Sequence, residues 1–223
     1  MNYTVNIKAF YDIQKECERF GARLVAVSKL QPNDKIIKLY EAGQRIFGEN
    51  RVQELCNKKP ELPGDIEWHF IGHLQTNKVK YIVPFISLIH SVDSGRLLSE
   101  INKQAMRFGR VLPCLLQFHI AKEESKYGLS IEEAHQLLNS DEFHNMKNIK
   151  ICGVMGMATN TNDKIQIEKE FRLLKKIFDE LKVSYFENNT QFKEISMGMS
   201  NDYLIALHCG STMIRIGSSL FSL

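Results

Sequence analysis

The chain has 223 residues, of which 43% are hydrophobic and 25% charged, and this length and usage suit a single globular domain with a full core. The net charge is only +3 and the lysines are mixed with glutamates, so the sequence does not indicate a nucleic-acid-binding protein. The five cysteines show no C-x-x-C spacing, the N-terminus lacks a signal-peptide core, and no apolar run reaches membrane-spanning length, so we expect a cytoplasmic protein with reduced thiols.

Strand-like and helix-like patterns alternate along the chain. An amphipathic N-terminal helix comes first, and its apolar side carries Val5, Phe10, Ile13 and Cys17. Eight apolar segments of strand length, rich in β-branched residues, follow it. In chain order they cover residues 24–29, 45–50, 67–72, 86–92, 112–120, 150–157, 194–198 and 213–218.

Five helical patterns lie between these strands. They cover residues 34–42, Gly95–Arg107, 131–139, 164–181 and 201–208. Ser130 and Ser200 are expected to cap the third and the fifth of them, and Gly43 and Gly109 are expected to end the first two.

This alternation predicts the fold. Strands that alternate with helices are typical of a parallel sheet, and eight is the number that closes a (β/α)₈ barrel. The sequence therefore predicts an α/β protein with one TIM barrel over residues 1–223 and an extra N-terminal helix. An open doubly wound sheet is the alternative, but the turn after the first strand reads Ser-Lys-Leu-Gln-Pro and lacks the Gly-rich nucleotide pattern.

A lysine closes the first predicted strand. Barrel enzymes carry their sites at the carboxyl ends of the strands, and Lys29 shares the row of Val25 and Val27, which is expected to face the barrel interior. A lysine in that row would be partly desolvated, and desolvation favours a neutral amine that can attack a carbonyl. A lysine that extends from the rim into solvent is the alternative.

The last two strands carry the features of a phosphate site. Ser200 is predicted at a helix N-terminus, and Gly217 and Ser218 end the eighth strand. Arg215 is expected to face inward, where it needs either a ring nitrogen or a carboxylate of a ligand, or a structural ion pair with an acidic residue such as Glu194. Together with the lysine of the first strand, these residues describe a site for pyridoxal 5′-phosphate (PLP).

Eight stretches of the chain match a known family: LVAVSK, FGENRVQE, WHFIGHLQTNK, HSVDS, KYGL, GVMGMAT, SMGMSNDY and IRIGSSLF. On these stretches the sequence resembles, over essentially its whole length, the PLP homeostasis proteins (the YggS or PROSC family), which are similar to the N-terminal barrel of alanine racemase. The resemblance implies that Lys29 forms an internal aldimine with PLP and that Asn50 lies near the ring. It also implies that Ser200, Gly217 and Ser218 hold the phosphate. Arg215 is implied to face the pyridine nitrogen.

The resemblance implies a function as well. We expect a monomer that holds PLP reversibly, buffers its aldehyde and passes it to apo-enzymes, without a metal, nucleic acid or membrane. An enzyme is the alternative, either a PLP-dependent racemase of small amino acids or a Schiff-base aldolase. Alanine racemases take their second base from a C-terminal domain that this chain, which ends at Leu223, is expected to lack. Tyr127 is the tyrosine that we place near the barrel mouth.

Several further residues are open to more than one interpretation. The resemblance implies that His73, Met155 and Ser196 line the pocket. The spacing of His69 and His73 is zinc-like, but no third ligand stands nearby, so a metal site is not expected. Glu49 and Asp93 are expected to hold neighbouring groups rather than act as acid–base catalysts, and Trp68 to pack in the core.

Overall fold

The computed structural model describes residues 4–122 and 127–221. Within these residues, eight parallel strands form a closed barrel in which each strand pairs with the next along the chain and the last pairs with the first. The predicted (β/α)₈ barrel is therefore confirmed. The strands are β1 Arg23–Val27, β2 Ile46–Glu49, β3 Glu67–Phe70, β4 Leu88–Val92, β5 Leu112–Phe118, β6 Ile149–Gly156, β7 Glu194–Ser196 and β8 Met213–Ile216.

Helices surround the barrel, and the predicted N-terminal helix precedes β1. The helices of the described residues are α1 Ile7–Phe20, α2 Asn33–Glu41, α3 Val52–Lys58, α4 Val79–Ile82, α5 Gly95–Arg107, α6 Ile131–Leu138, α7 Asp141–Asn145, α8 Lys164–Tyr185, α9 Tyr203–His208 and α10 Ser218–Phe221. Short 3₁₀ turns occupy Lys59–Glu61 and Thr76–Lys78. In this part of the chain, no helix combines the length and the apolar character that crossing a bilayer requires.

Most strands end earlier than the sequence predicts, because the loops turn over the rim. After β1, the Ser28 N–H still donates to Gly48 O at 3.0 Å, but Ser28 O accepts from the Gln31 N–H at 3.0 Å and so closes a turn. The predicted strand 24–29 therefore stops at Val27, and Lys29 lies in the loop. The sequence patterns also missed the short helices α3, α4, α7 and α10, since periodicity is weak over so few residues.

Ser130 caps its helix as predicted. Its hydroxyl accepts from the Glu133 N–H at 3.1 Å, and the Glu133 carboxylate accepts from the Ser130 N–H at 2.8 Å, so a capping box starts α6. Gly109 adopts a φ of 61° just after α5, as a helix-ending glycine does.

The core has two parts. The larger part fills the layer between the strands and the helices, where Trp68 packs against Phe47 with ring centroids 6.1 Å apart, as expected for a packing residue. The smaller part lies inside the barrel and consists of Val25, Leu88, Leu115, Cys152, Met155 and Met213. Because these side chains fill the barrel interior, a ligand of the barrel is expected at the rim.

Candidate functional site

A cavity of about 510 Å³ lies at the carboxyl ends of the strands. All six residues that the sequence predicts for the site line it: Lys29, Asn50, Ser200, Arg215, Gly217 and Ser218. They come from β8 and from the segments that follow β1, β2, β7 and β8, which barrel closure brings together. Val27, Ile71 and Met157 contribute apolar surface to the lining, so the cavity combines polar and apolar groups as small-molecule sites do.

Lys29 lies at the rim of this cavity and is exposed. The expected alternation holds as far as Val27, since Val25 belongs to the cluster inside the barrel and Val27 lines the cavity. Of the two interpretations of Lys29, the structure agrees with the exposed lysine at the rim and not with a partly desolvated one, because the strand ends two residues earlier and Lys29 lies in the loop.

The loop that carries Lys29 is held by a buried ion cluster. The Lys58 ammonium donates to Glu49 Oε1 at 2.8 Å, to Glu54 Oε1 at 2.6 Å and to Ser28 O at 2.7 Å. Ser28 Oγ donates to Glu49 Oε1 at 2.6 Å, and the N–H of Leu30, whose φ is 62°, donates to Glu54 Oε1 at 2.6 Å. Burial raises the pKa of Glu49, and Lys58 opposes that shift. Glu49 thus holds neighbouring groups, as predicted.

Arg215 is buried beneath the cavity. Its Nη1 donates to Ser196 Oγ at 2.7 Å and its Nη2 donates to Gly156 O at 3.1 Å. Burial lowers the pKa of Arg215 to about 10, so the guanidinium remains charged at neutral pH. The alternative ion pair with Glu194 is wrong, because Glu194 pairs instead with Arg23 at 2.6 Å.

The turn after β7 differs from the prediction. Ser200 is not the cap of the following helix, because that helix starts at Tyr203 and Asp202 occupies the N-cap position. The Met199 N–H donates to Asp202 Oδ1 at 2.5 Å and the Tyr203 N–H donates to Met199 O at 2.9 Å, which closes a turn around Ser200. Ser200 still lines the cavity.

The segment after β8 brings backbone close to the cavity. A Cβ atom on Gly217 would lie 3.2 Å from Val27 O and 3.3 Å from Val27 Cβ, so only glycine keeps this approach to β1 open without a shift. Ser218 begins α10, whose first N–H groups have no acceptor inside the helix. Gly217 and Ser218 line the same cavity as Lys29 and can offer it backbone N–H groups and a hydroxyl.

An aromatic pair stands at the opposite rim. The rings of His73 and Tyr127 stack with centroids 3.9 Å apart, and both side chains line the cavity. His73 Nδ1 lies 2.9 Å from Asp93 Oδ2, so Asp93 orients this ring, as the structural interpretation expects. Lys126 of the KYGL stretch lies outside the described residues.

Met155 and Ser196 do not line the cavity. Met155 belongs to the cluster inside the barrel, and Met157 lines the wall in its place. Ser196 is buried below the cavity, where it contacts Arg215 and also lies 2.8 Å from His90 Nδ1. Sequence reasoning missed His90, although alternation in β4 places it on the same face as the barrel-filling Leu88.

The two histidines with zinc-like spacing lie in different surroundings. His69 is buried inside the barrel with Nδ1 2.9 Å from His90 Nε2, whereas His73 stands at the rim. Over residues 4–122 and 127–221, no group of three or more His, Cys, Asp or Glu side chains is arranged to hold a metal ion.

Comparisons with known proteins identify relatives that span the chain. The family model for the alanine racemase N-terminal domain matches residues 6–223. The pyridoxal phosphate homeostasis protein of Aquifex aeolicus is 39% identical over 215 residues, which cover 94% of this chain and 92% of the relative. That of Helicobacter pylori strain 26695 is 40% identical over 201 residues, covering 89% and 86%.

A solved structure agrees with these relatives. PipY of Synechococcus elongatus PCC7942, solved with PLP bound, is 32% identical and superposes with a TM-score of 0.87 over 97% of this chain and 99% of PipY. The chain therefore belongs to the alanine racemase N-terminal domain family and, within it, to the pyridoxal phosphate homeostasis proteins.

Proposed function

We propose that this protein binds PLP in the cavity at the carboxyl ends of its strands and holds it for reversible delivery to apo-enzymes. The observation that carries the proposal is the convergence of all six predicted residues on one cavity. The names of the relatives and the PLP bound to PipY support the same ligand.

The phosphate would bind at the end of the cavity formed by the segments after β7 and β8. Gly217 and Ser218 both line the cavity, and α10 begins at Ser218 with first N–H groups that have no acceptor inside the helix. The Ser200 and Ser218 hydroxyls can add hydrogen bonds, and bonds to an ionised phosphate are stronger than those between neutral groups. This donor set suits a phosphate monoester.

Arg215 would face the pyridine nitrogen. Arginine has only donors, and two of its five N–H groups are used by Ser196 and Gly156, so others remain for a ligand. A nitrogen opposite such a donor acts as an acceptor and stays unprotonated. When bound, PLP supplies an aldehyde that condenses reversibly with an amine and a ring that withdraws electrons from it. An unprotonated ring withdraws electrons weakly, which suits storage better than catalysis.

Lys29 supplies the amine. Its exposed position lets water and competing amines reach the point of attachment, which favours exchange over permanent retention. The buried cluster around Ser28, Glu49 and Lys58 holds the loop and so keeps the amine beside the cavity.

One observation favours a racemase as the second candidate. Tyr127 lines the same cavity as Lys29, so a tyrosine and a lysine stand at one site. The Tyr127 side chain is 57% exposed, however, and a solvated base gains little from the electrostatics of a closed site. We therefore favour the carrier over the enzyme, and we propose that it acts as a monomer in the cytoplasm.

The test begins with purified protein and added PLP. We expect a visible absorption band, and borohydride reduction followed by peptide mapping should place a pyridoxyl group on Lys29. Lys29→Ala should lose the adduct and keep the fold, whereas Lys78→Ala, at a lysine outside the cavity, should keep both. An adduct on another lysine in the wild-type protein would contradict the assignment, and transfer to an apo-enzyme faster than free release would support the carrier.

A further inference from the structure

Four buried polar side chains form one line of hydrogen bonds inside the barrel. It runs from Arg215 on β8 to Ser196 on β7 at 2.7 Å, from Ser196 to His90 on β4 at 2.8 Å, and from His90 to His69 on β3 at 2.9 Å. Each of these residues is at most 4% exposed. Only the Arg215 end lines the cavity.

The chemistry of the donors gives this line a direction. Arginine can only donate, so Ser196 Oγ accepts at that contact and its single hydrogen is available for His90 Nδ1. His90 then carries its proton on Nε2 and donates to Nδ1 of His69. His69 in turn must carry its proton on Nε2.

The reverse direction is less favourable. If His69 donated to His90 and His90 donated to Ser196, the hydroxyl hydrogen of Ser196 would have no acceptor in a buried site, which native interiors avoid. Burial also lowers the pKa of His69 to about 3, and the pKa of His90 lies well below its ordinary value because of burial and the charge of Arg215. Both histidines are therefore neutral, as hydrogen-bond donation from Arg215 towards His69 requires.

We propose that Ser196 and His90 are positioning residues that hold Arg215 as a fixed donor towards the cavity, with His69 ending the line. This inference rests on the proposed PLP site, because it assigns the ring nitrogen as the group that Arg215 faces. The hydrogens that Ser196 and His90 donate along the line point away from the cavity, so the line passes no proton to that nitrogen. The line thus keeps the ring nitrogen of bound PLP unprotonated.

The first test needs no ligand. NMR of the apo-protein with ¹⁵N-labelled histidine should show His69 and His90 as neutral Nε2–H tautomers at neutral pH, with signals that stay constant on acidification until the protein unfolds. The exposed His144 serves as an internal reference. An Nδ1–H tautomer or a charged ring at either buried position would overturn the proposal.

The second test uses a matched pair of variants with ¹⁵N-labelled PLP. His90→Asn keeps an acceptor oxygen at the position of Nδ1, whereas His90→Leu removes it. The ring nitrogen signal should be that of an unprotonated pyridine in the wild type and in His90→Asn. In His90→Leu it should move towards the protonated value, with PLP affinity about tenfold lower. An unchanged signal and affinity in folded His90→Leu would overturn the inference.

Two controls separate the possible failures. If His90→Leu does not fold, Ser196→Ala interrupts the same line with a smaller change and must show the same shift in the ring signal. If wild-type protein binds no PLP, the proposed function fails, and the apo-protein tautomers still report whether the line exists. If PLP binds and its ring nitrogen is protonated, the inference alone fails.

Discussion

The buried ion cluster beneath the Lys29 loop allows a sharp test by Lys58→Met. Lys58 is 7% exposed and Glu49 is fully buried, and the ammonium makes three hydrogen bonds of 2.6–2.8 Å to Glu49, Glu54 and Ser28 O. Methionine fills most of the volume and removes the charge. Glu49 is then left as a buried anion with the Ser28 hydroxyl as its remaining partner among the described residues.

The magnitude follows from the loss of one partner of a buried pair, which typically costs about 3–5 kcal/mol. We expect a loss of about 3 kcal/mol in the free energy of unfolding near pH 8, because Glu54 is partly exposed and can be solvated again. Lys58→Met/Glu49→Gln removes both charges and should recover more than half of that loss. Reversible urea unfolding of both variants and the wild type measures these values.

The pH dependence provides an independent check. Burial raises the pKa of Glu49 above its ordinary 4.5, and removing Lys58 raises it further. Because the pKa of Glu49 is higher in the folded than in the unfolded state, the folded protein is more stable when Glu49 is protonated than when it is ionised. This contribution to stability is lost as the pH rises through the folded-state pKa. The penalty of Lys58→Met should therefore be smaller at about pH 5 than at about pH 8. A single variant within about 0.5 kcal/mol of wild type, or a double variant no better than the single, would refute the reasoning.

Three further predictions concern the cavity. Ser200→Ala and Ser218→Ala should each lower the affinity for PLP about tenfold and the affinity for pyridoxal, which has no phosphate, far less. Titration followed by the visible band measures both affinities, and equal losses for the two ligands would argue against the phosphate assignment. Arg215→Glu should let the ring nitrogen gain a proton and increase formation of pyridoxamine 5′-phosphate from PLP and added amino acids, measured by chromatography; no increase would count against the pairing. Assays with L- and D-alanine at saturating PLP should detect no enzyme-like turnover, and robust turnover that Tyr127→Phe abolishes would establish the racemase instead.

The barrel was predictable from local pattern. The eight β-branched segments that alternate with helices predict the number of strands and their parallel direction, because periodicity indicates which residues face a core. Lys29, Ser200, Arg215, Gly217 and Ser218 could also be predicted as site residues, since the strand ends of a parallel barrel meet at one rim, whereas Asn50 was implied by the family resemblance. Alternation placed Val25 and Val27 correctly because two residues on one strand are related by covalent geometry.

Tertiary structure decided what these residues touch. The exposure of Lys29 depends on a turn after Val27 that ends the strand early, and periodicity does not report such turns. The partner of Arg215 is Ser196, 19 residues earlier in the chain, and not Glu194 on the same strand as Ser196, since Arg23 binds that carboxylate. Contacts between strands arise only when the barrel closes and fixes the register of each strand against the next. Local pattern was therefore enough to predict the barrel and many of the residues at its rim, whereas their partners and exposure depend on contacts between strands that are distant in the chain.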